Sequence, residues 1–410
     1  MSQPPFPALP DLAPRRRNGV FEFPVHHMRG GTSTGLVIDD RLAPADRPLR
    51  EELLRHLMGL PLAGTRQGNR QITGLGRGAP TSNKVFFADV EPTEPPRLVS
   101  TLAQLAADTA AIDWSVNCGN MSAALPLWAL DTGRLSRRPG AGRFETVIRN
   151  TNTGVLTTAR MAFGGDDQPV TTEIPGVEGA FAGVDLSLAD PVGSKTGRLL
   201  PTGRRSDPAG GVRVSCVDVA VPMVIVRAEE FGRSVHDPIE SFDTDAALMR
   251  RLRAMWVEAG LAMQLTARDG HKLTADELAR SETIPKVCLI GPPAGAGHIA
   301  ARYFTPQAGH RSLAVSGGCC LAAAALIEGT TAHETARGLP GLGPEFTEIT
   351  IDIENPAGIL SARIEARAAP EGLALRQAAY ARNTQILLRG HVPLPRASAA
   401  LIAALDRATG

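Results

Sequence analysis

Cys118 stands in Asn117-Cys118-Gly119-Asn120, after a polar lead-in and before the small apolar run Met121-Ser122-Ala123-Ala124-Leu125. This placement predicts a thiol at the mouth of a buried helix. The first backbone N–H groups of a helix have no intrahelical partner and carry the positive end of its dipole. They therefore stabilise a thiolate or a bound carboxylate. Gly119 lets a ligand come close to the backbone. A second copy of the arrangement is Ser316-Gly317-Gly318, followed by Cys319-Cys320-Leu321-Ala322-Ala323. The two lie about half the chain apart, which suggests a duplicated architecture with a cleft between two helix mouths. Lys84 opens the apolar strand Lys84-Val85-Phe86-Phe87 directly after a polar loop. A lysine partly desolvated at a cleft has a lowered pKa and acts as a base. The plainer alternative is a strand-end lysine reaching for solvent.

Arg29-Gly30-Gly31-Thr32-Ser33-Thr34-Gly35 joins two strand-like runs. Three glycines and three hydroxyls can form a backbone nest for a carboxylate, or simply a hairpin loop. Gly74-Leu75-Gly76-Arg77-Gly78 is no dinucleotide fingerprint, because a strand follows it where a helix should open. His333-Glu334 lacks a second histidine four residues after the first, so no zinc-protease motif is present. His26-His27 and His310-Arg311 are candidate polar groups of a cleft.

Lysine plus arginine number 43 against 42 aspartate plus glutamate, so no global field favours nucleic acid or a membrane surface. Any anionic ligand must be caught locally. The five cysteines show no zinc spacing and read as reduced thiols of a cytoplasmic protein. No segment reaches the roughly 18 apolar residues of a membrane span.

Short strand-like runs dominate, among them 25–27, 36–38, 84–90, 144–149, 154–162, 212–226, 286–290, 349–353, 358–366 and 384–388. Helical spacing marks 47–60 and 244–265, the latter with Thr244-Asp245 as its N-cap. The helices after Cys118 and Ser316 are apolar nearly all round, as buried helices are. The expected organisation is a disordered, proline-rich tail over 1–18, one domain over 19–200 and a second over 201–395. The last strands have the option of returning to the first domain, and 396–410 forms a helix or tail. The Gly-, Pro- and Arg-rich stretch 190–211 marks the boundary.

Together with Pro285-Lys286, Asp190-Pro191-Val192-Gly193-Ser194 and Leu200-Pro201-Thr202-Gly203, these motifs resemble, in order and over nearly the whole chain, the PrpF-type isomerases. That family includes 2-methylaconitate isomerase, methylitaconate delta-isomerase and 4-oxalomesaconate tautomerase. The resemblance implies an α+β, diaminopimelate-epimerase-like fold. In it, two similar domains each wrap a β-barrel-like sheet around a central buried helix, and the active site lies in the cleft between them. It implies no cofactor and no metal, and a reaction that shifts a carbon–carbon double bond of an unsaturated di- or tricarboxylate by allylic proton transfer. By position, Lys84 and Cys118 match the family's catalytic lysine and cysteine. The expected substrate contacts are the loop Arg29, Gly30, Gly31, Thr32, Ser33 and Thr34, then Ser82 and Asn83, then Asn117, Gly119, Asn120 and Met121. Ser194, His310, Ser316, Gly317 and Gly318 complete the set. Two positions depart from the family pattern. Thr34 replaces a usual lysine, which implies a substrate with one fewer carboxylate or a different binding mode, and Asn83 replaces a serine.

An amino-acid epimerase with two opposed thiols is a competing expectation, weakened because the second helix mouth carries Ser316. A non-catalytic carboxylate-binding protein is another. The expected partner is a small unsaturated carboxylate, with neither nucleic acid nor membrane, and a homodimer is a candidate assembly.

Overall fold

Along Phe21-Glu22-Phe23-Pro24-Val25, the large apolar residues Phe21, Phe23 and Val25 fall at every second position, so one face of an extended chain becomes continuously apolar. That pattern recurs throughout the computed structural model, which describes residues 12–78, 82–115, 117–267, 269–370 and 372–407. The chain divides into two compact units, one of residues 1–186 with 382–410 and one of 187–381.

In the first unit the strands are β1 (Arg15–Arg17), β2 (Val20–Gly30), β3 (Ser33–Asp39), β4 (Lys84–Glu91), β5 (Arg97–Leu105) and β6 (Ile112–Asp113). They continue with β7 (Arg143–Asn150), β8 (Leu156–Ala162), β9 (Thr171–Ile174) and β10 (Val177–Ala189). The last strand of the chain, β19 (Gly372–Pro393), closes the ring by pairing antiparallel with β2. Pairing runs β2-β3-β4-β5-β7-β8-β10-β19 and back to β2, an eight-stranded closed barrel. The two parallel steps, β3 to β4 and β5 to β7, need crossovers. The first crossover is α1 (Arg47–Met58), which starts on Asp46 as N-cap and stops at Gly59 in the left-handed conformation. The second is the pair α2 (Gly119–Ser122) and α3 (Ala124–Asp131).

These two crossovers take opposite sides of the barrel wall. Phe21, Phe23, Val25, Leu36, Val85 and Phe87 pack outward against Leu53, Leu54 and Leu57 of α1 and Leu401 and Leu405 of α9 (Ala399–Arg407). The opposite faces of β2 and β3 meet α2 and α3. Every residue of α3 is buried, as its all-round apolar sequence requires. Inside the barrel, therefore, lie the side chains that alternate with the outward set: Met28, Ser33, Val37, Lys84 and Phe86.

The second unit repeats this order of pairing. Its strands are β11 (Asp207–Ala209), β12 (Val212–Val219), β13 (Val221–Arg227), β14 (Lys286–Gly291), β15 (Ile299–Thr305), β16 (Ala308–Gly309), β17 (Thr347–Asn355) and β18 (Gly358–Ala369). β12-β13 is antiparallel, β13-β14 parallel, β14-β15 antiparallel, β15-β17 parallel and β17-β18 antiparallel. The outer crossover holds α4 (Ile239–Asp243), α5 (Ala246–Ala262) and α6 (Ala275–Arg280), with Asp245 capping α5 by accepting from the Leu248 N–H. The inner one holds α7 (Val315–Ala325) and α8 (Thr331–Thr335).

Two expectations need adjustment. Residues 15–17, read as part of a disordered tail, form β1 on the edge of β2, fixed by an ion pair from Arg15 to Glu22 of 2.7 Å. Residues 1–11 lie outside the described part. The run 212–226, read as one strand, is a hairpin that turns at Ala220, which takes a positive φ of 62°.

Candidate active site

Lys84 begins β4, and its interior position follows from the outward packing of Val85 and Phe87 on either side of Phe86. Only 7% of it is exposed. Gly35 of β3 lies beside it, and a Cβ there would sit 2.3 Å from the Lys84 carbonyl oxygen, so glycine is what allows the two strands their spacing. Across the antiparallel ladder the neighbour of Lys84 is Gln104, whose side-chain N–H₂ donates to the Asn83 carbonyl over 3.1 Å.

Cys118 is the N-cap of α2 and is partly buried. Its thiol donates to the Ser33 hydroxyl over 3.9 Å, a long sulfur contact. Its carbonyl accepts from both the N–H and the hydroxyl of Ser122, each at 3.0 Å. Its own N–H is turned to the Asn117 side-chain oxygen at 2.7 Å. Ser33 and Gly35 share one face of β3. The lysine beside Gly35 and the thiol beside Ser33 therefore meet the same interior end of the barrel.

The glycine loop is pressed onto the first turn of α2. A Cβ on Gly30 would meet the Asn120 carbonyl oxygen at 2.6 Å, and one on Gly31 would meet the Asn120 side-chain oxygen at 2.7 Å. Asn120 donates to the Thr32 hydroxyl (3.1 Å) and accepts from Arg382 Nε (2.8 Å). Met121 is fully buried beneath Gly30. Gly30, Gly31, Thr32, Ser33, Asn117, Cys118, Gly119, Asn120 and Met121 thus form one cluster next to Lys84, built from sites that the chain separates by more than eighty residues.

Arg29 and Thr34 are cross-strand partners on the other face of the hairpin, away from Ser33 and Gly35. The Arg29 guanidinium donates to Asn383 Oδ1 (2.6 Å) and the Gly31 carbonyl (2.9 Å), and stacks 4.5 Å from the Phe181 ring. Burial pulls its pKa down, and Nε and Nη2 have no hydrogen-bond partner among the described residues. Asn83, fully buried, is committed to the preceding loop. It donates to Gln71 Oε1 (2.9 Å) and to the Gly78 carbonyl (3.3 Å), and accepts from the Arg77 N–H (3.1 Å). Its geometry suits holding the loop that leads into Lys84. Ser82 is partly buried beside it, and Thr81 lies outside the described residues. His27, buried on the outer face, is held neutral down to about 4 by burial and then by the Arg77 charge. His26 Nε2 donates to the Asp131 carboxylate at 3.0 Å, at the far end of α3.

The remaining expected contacts are in the second unit. Ser194 donates to Asp218 (2.6 Å), which also accepts from the Lys195 and Thr196 N–H groups at 2.9 Å; this carboxylate organises the 190s loop. Ser316, Gly317 and Gly318 form the first turn of α7, where a Cβ on Gly317 would meet the Tyr303 ring at 2.3 Å. His310 stands edge-on to Tyr303, with ring centroids 5.9 Å apart. Cys319 and Cys320 are fully buried, and burial raises the Cys320 pKa well above the ordinary thiol value. Of the five thiols only Cys118 is not fully buried.

Sequence reasoning passed over Gln71, Gln104 and Arg382 as partners of the cluster. Their signal lies in three-dimensional pairing rather than local spacing. Among the described residues no helix is long and apolar enough to cross a membrane.

Comparison with known proteins identifies the family. Residues 20–395 match the family model described as PrpF protein. The chain is 31% identical over 346 residues to 4-oxalomesaconate tautomerase of Pseudomonas putida, covering 84% of this chain and 90% of that one. It is 31% identical over 354 residues to (4E)-oxalomesaconate Delta-isomerase of a Novosphingobium species, covering 86% and 92%. A crystal structure of methylitaconate-delta-isomerase superposes with a TM-score of 0.75 at 25% identity, covering 94% of this chain and 97% of that one. With a closed barrel around a buried helix, the ordered motifs and this full-length similarity, the chain belongs to the PrpF family and is an isomerase.

Proposed function

We propose that the protein moves a carbon–carbon double bond within an unsaturated di- or tricarboxylate by allylic proton transfer, without a cofactor. Lys84 in its neutral form takes the proton next to the conjugated acid group, and its electron pair becomes the new N–H bond. The C–H pair delocalises into a dienolate, and the same proton, or one exchanged from the ammonium, returns at the far allylic carbon. Fixed polar groups must hold the oxyanion while it exists, because donors already oriented need no reorganisation during the reaction. The Cys118 thiol, the Ser33 hydroxyl and the Asn117 amide are the groups at hand.

The observation that supports this reading is the juxtaposition of Lys84 and Cys118 through Gly35 and Ser33 at one end of one barrel. The names of the relatives, an oxalomesaconate tautomerase and an oxalomesaconate isomerase, support the substrate class. Epimerase chemistry with opposed thiols needs a second available cysteine, and Cys319 and Cys320 are sealed in the core. The test is Lys84→Met, expected to keep the fold while turnover of 4-oxalomesaconate, methylaconitate or methylitaconate falls by at least about a hundredfold, the usual cost of losing a general base. Turnover near that of the parent enzyme would remove Lys84 from the mechanism.

A further inference from the structure

In pairing order, β7 and β8 of the first unit correspond to β17 and β18 of the second, but the turns that join them differ in length. Asn355 and Gly358 frame a connection of two residues, Pro356-Ala357, whereas Asn150 and Leu156 frame five, 151–155. The longer turn belongs to the unit that carries Lys84 and Cys118. Within it Thr151, Thr153, Gly154 and Val155 are exposed, and Asn152 is partly buried.

The Asn152 side chain fills a gap in the barrel wall. One edge of β5 pairs with β4, and the other pairs with β7 at Leu98, Val99 and Ser100 and with β6 at Gln104 and Leu105. Between those two stretches Leu102 meets the Asn152 amide instead of a strand. The Leu102 N–H donates to Oδ1 over 2.8 Å and its carbonyl accepts from Nδ2 over 2.9 Å, so the side chain stands in for a peptide group. Nδ2 also donates to the Trp114 carbonyl (2.6 Å), and Oδ1 accepts from Asn150 Nδ2 (3.1 Å). A primary amide has two donor hydrogens and two acceptor positions, and here all four are used.

Those bonds join the two sides of the candidate site. Leu102 lies across the ladder from Phe86 of β4, and two residues further on Gln104 lies across from Lys84. Trp114 precedes Cys118 by four residues; its ring stacks on Phe87 with centroids 6.0 Å apart, and its indole N–H donates to Glu51 over 3.1 Å. One planar group therefore ties the strand beside Lys84 to the stretch of chain that leads into Cys118.

We propose that Asn152 is a positioning residue of the isomerase, holding the lead-in to Cys118 at a fixed distance from the strand of Lys84. That Lys84 and Cys118 act in the reaction rests on the proposed function; the anchoring does not.

The experiment is alkylation of the native protein with iodoacetamide and mass spectrometry of the cysteine peptides, in the parent, Asn152→Ala and Asn152→Asp. Cys118 is the one thiol that is not fully buried, so its rate reports on the lead-in. Asn152→Asp keeps the size and the two accepted bonds but turns a carboxylate oxygen towards the Leu102 and Trp114 carbonyls. In both variants the Cys118 rate should rise roughly tenfold, the scale set by losing hydrogen bonds of ordinary net strength. Cys216 and Cys288 should stay unreactive. On an acid that the parent turns over, kcat should fall about tenfold or more while KM stays within about threefold, because Asn152 acts on geometry without touching substrate. In the parent itself the Leu102 N–H should exchange with solvent as slowly as the amides of the β4–β5 ladder, a measurement that holds even if a variant does not fold. A lowered urea midpoint with parental alkylation rate and kcat, or fast exchange at Leu102, would overturn the inference. Faster Cys118 alkylation in variants of a protein that turns over none of the candidate acids would uphold the anchoring and defeat the proposed reaction instead.

Discussion

Gly35 and Lys84 are held so close that a methyl group on the glycine would lie 2.3 Å from the lysine carbonyl oxygen. The obstacle is backbone, which cannot swing aside as a flexible side chain would. Gly35→Ala should therefore displace the start of β4, costing about 1–3 kcal/mol of stability by overpacking. Turnover should fall further than stability explains, because a base displaced by about 1 Å loses much of its rate. Urea unfolding and kcat on the same preparation check both parts, and a variant with parental kcat would show that the position of Lys84 tolerates the shift.

The Asn83 amide ties Gln71, Arg77 and Gly78 to the start of the strand that Lys84 opens. A serine hydroxyl is too short to keep all three bonds. Asn83→Ser is expected to destabilise the protein by about 1–3 kcal/mol, the usual effect of leaving buried polar groups unpaired. It should raise hydrogen exchange in the 71–78 segment. Unchanged exchange there would mean the loop is held by other contacts.

Cys118 distinguishes proton transfer from binding. If its thiol carries a proton, Cys118→Ser should lose most activity, because a hydroxyl ionises far less readily than a thiol. If the group only donates a hydrogen bond to the intermediate, the serine variant should retain most kcat, and Cys118→Ala should lose it. Parental kcat in both variants would leave the thiol without a part in the reaction.

His27 gives a pH signature to stability. Its folded pKa, about 4, lies below the ordinary value of 6.5, because burial and then Arg77 disfavour the imidazolium. Between those values the unfolded chain takes up a proton that the folded chain refuses, so stability falls as pH drops from about 6.5 towards 4. Above 6.5 the contribution is complete. His27→Gln should flatten this part of the profile of urea midpoints against pH. An identical slope in parent and variant would assign the acid sensitivity to other groups.

Much of this arrangement was legible from residue type alone. The helices after Cys118 and Ser316 announced themselves as buried because no polar stripe runs along them, and Lys84 stood out as a charge at the head of an apolar strand. Strands β5 and β10 were not read. Ser100, Thr101 and Gln104 interrupt the one, and Gly179, Ala180 and Gly183 weaken the other, so neither looks like a β-run without its neighbours. The face taken by a hairpin residue was also hidden. Arg29 has the composition of a carboxylate anchor, yet the register of β2 with β3 sets it with Thr34 on the face opposite Ser33. Composition identifies candidates, whereas the one-residue alternation of a strand decides which of them meet.

Solvent deuterium incorporation tests the central claim most directly. The reaction is run in deuterated water with the parent enzyme and with Lys84→Met, and the label is mapped by NMR. A lysine-held proton predicts deuterium only at the two allylic carbons and with a single stereochemistry. Direct transfer would be partly diluted, because an ammonium shares three protons with solvent. Both incorporation and turnover should vanish together in Lys84→Met. Random stereochemistry, or exchange that continues unchanged without Lys84, would contradict the account.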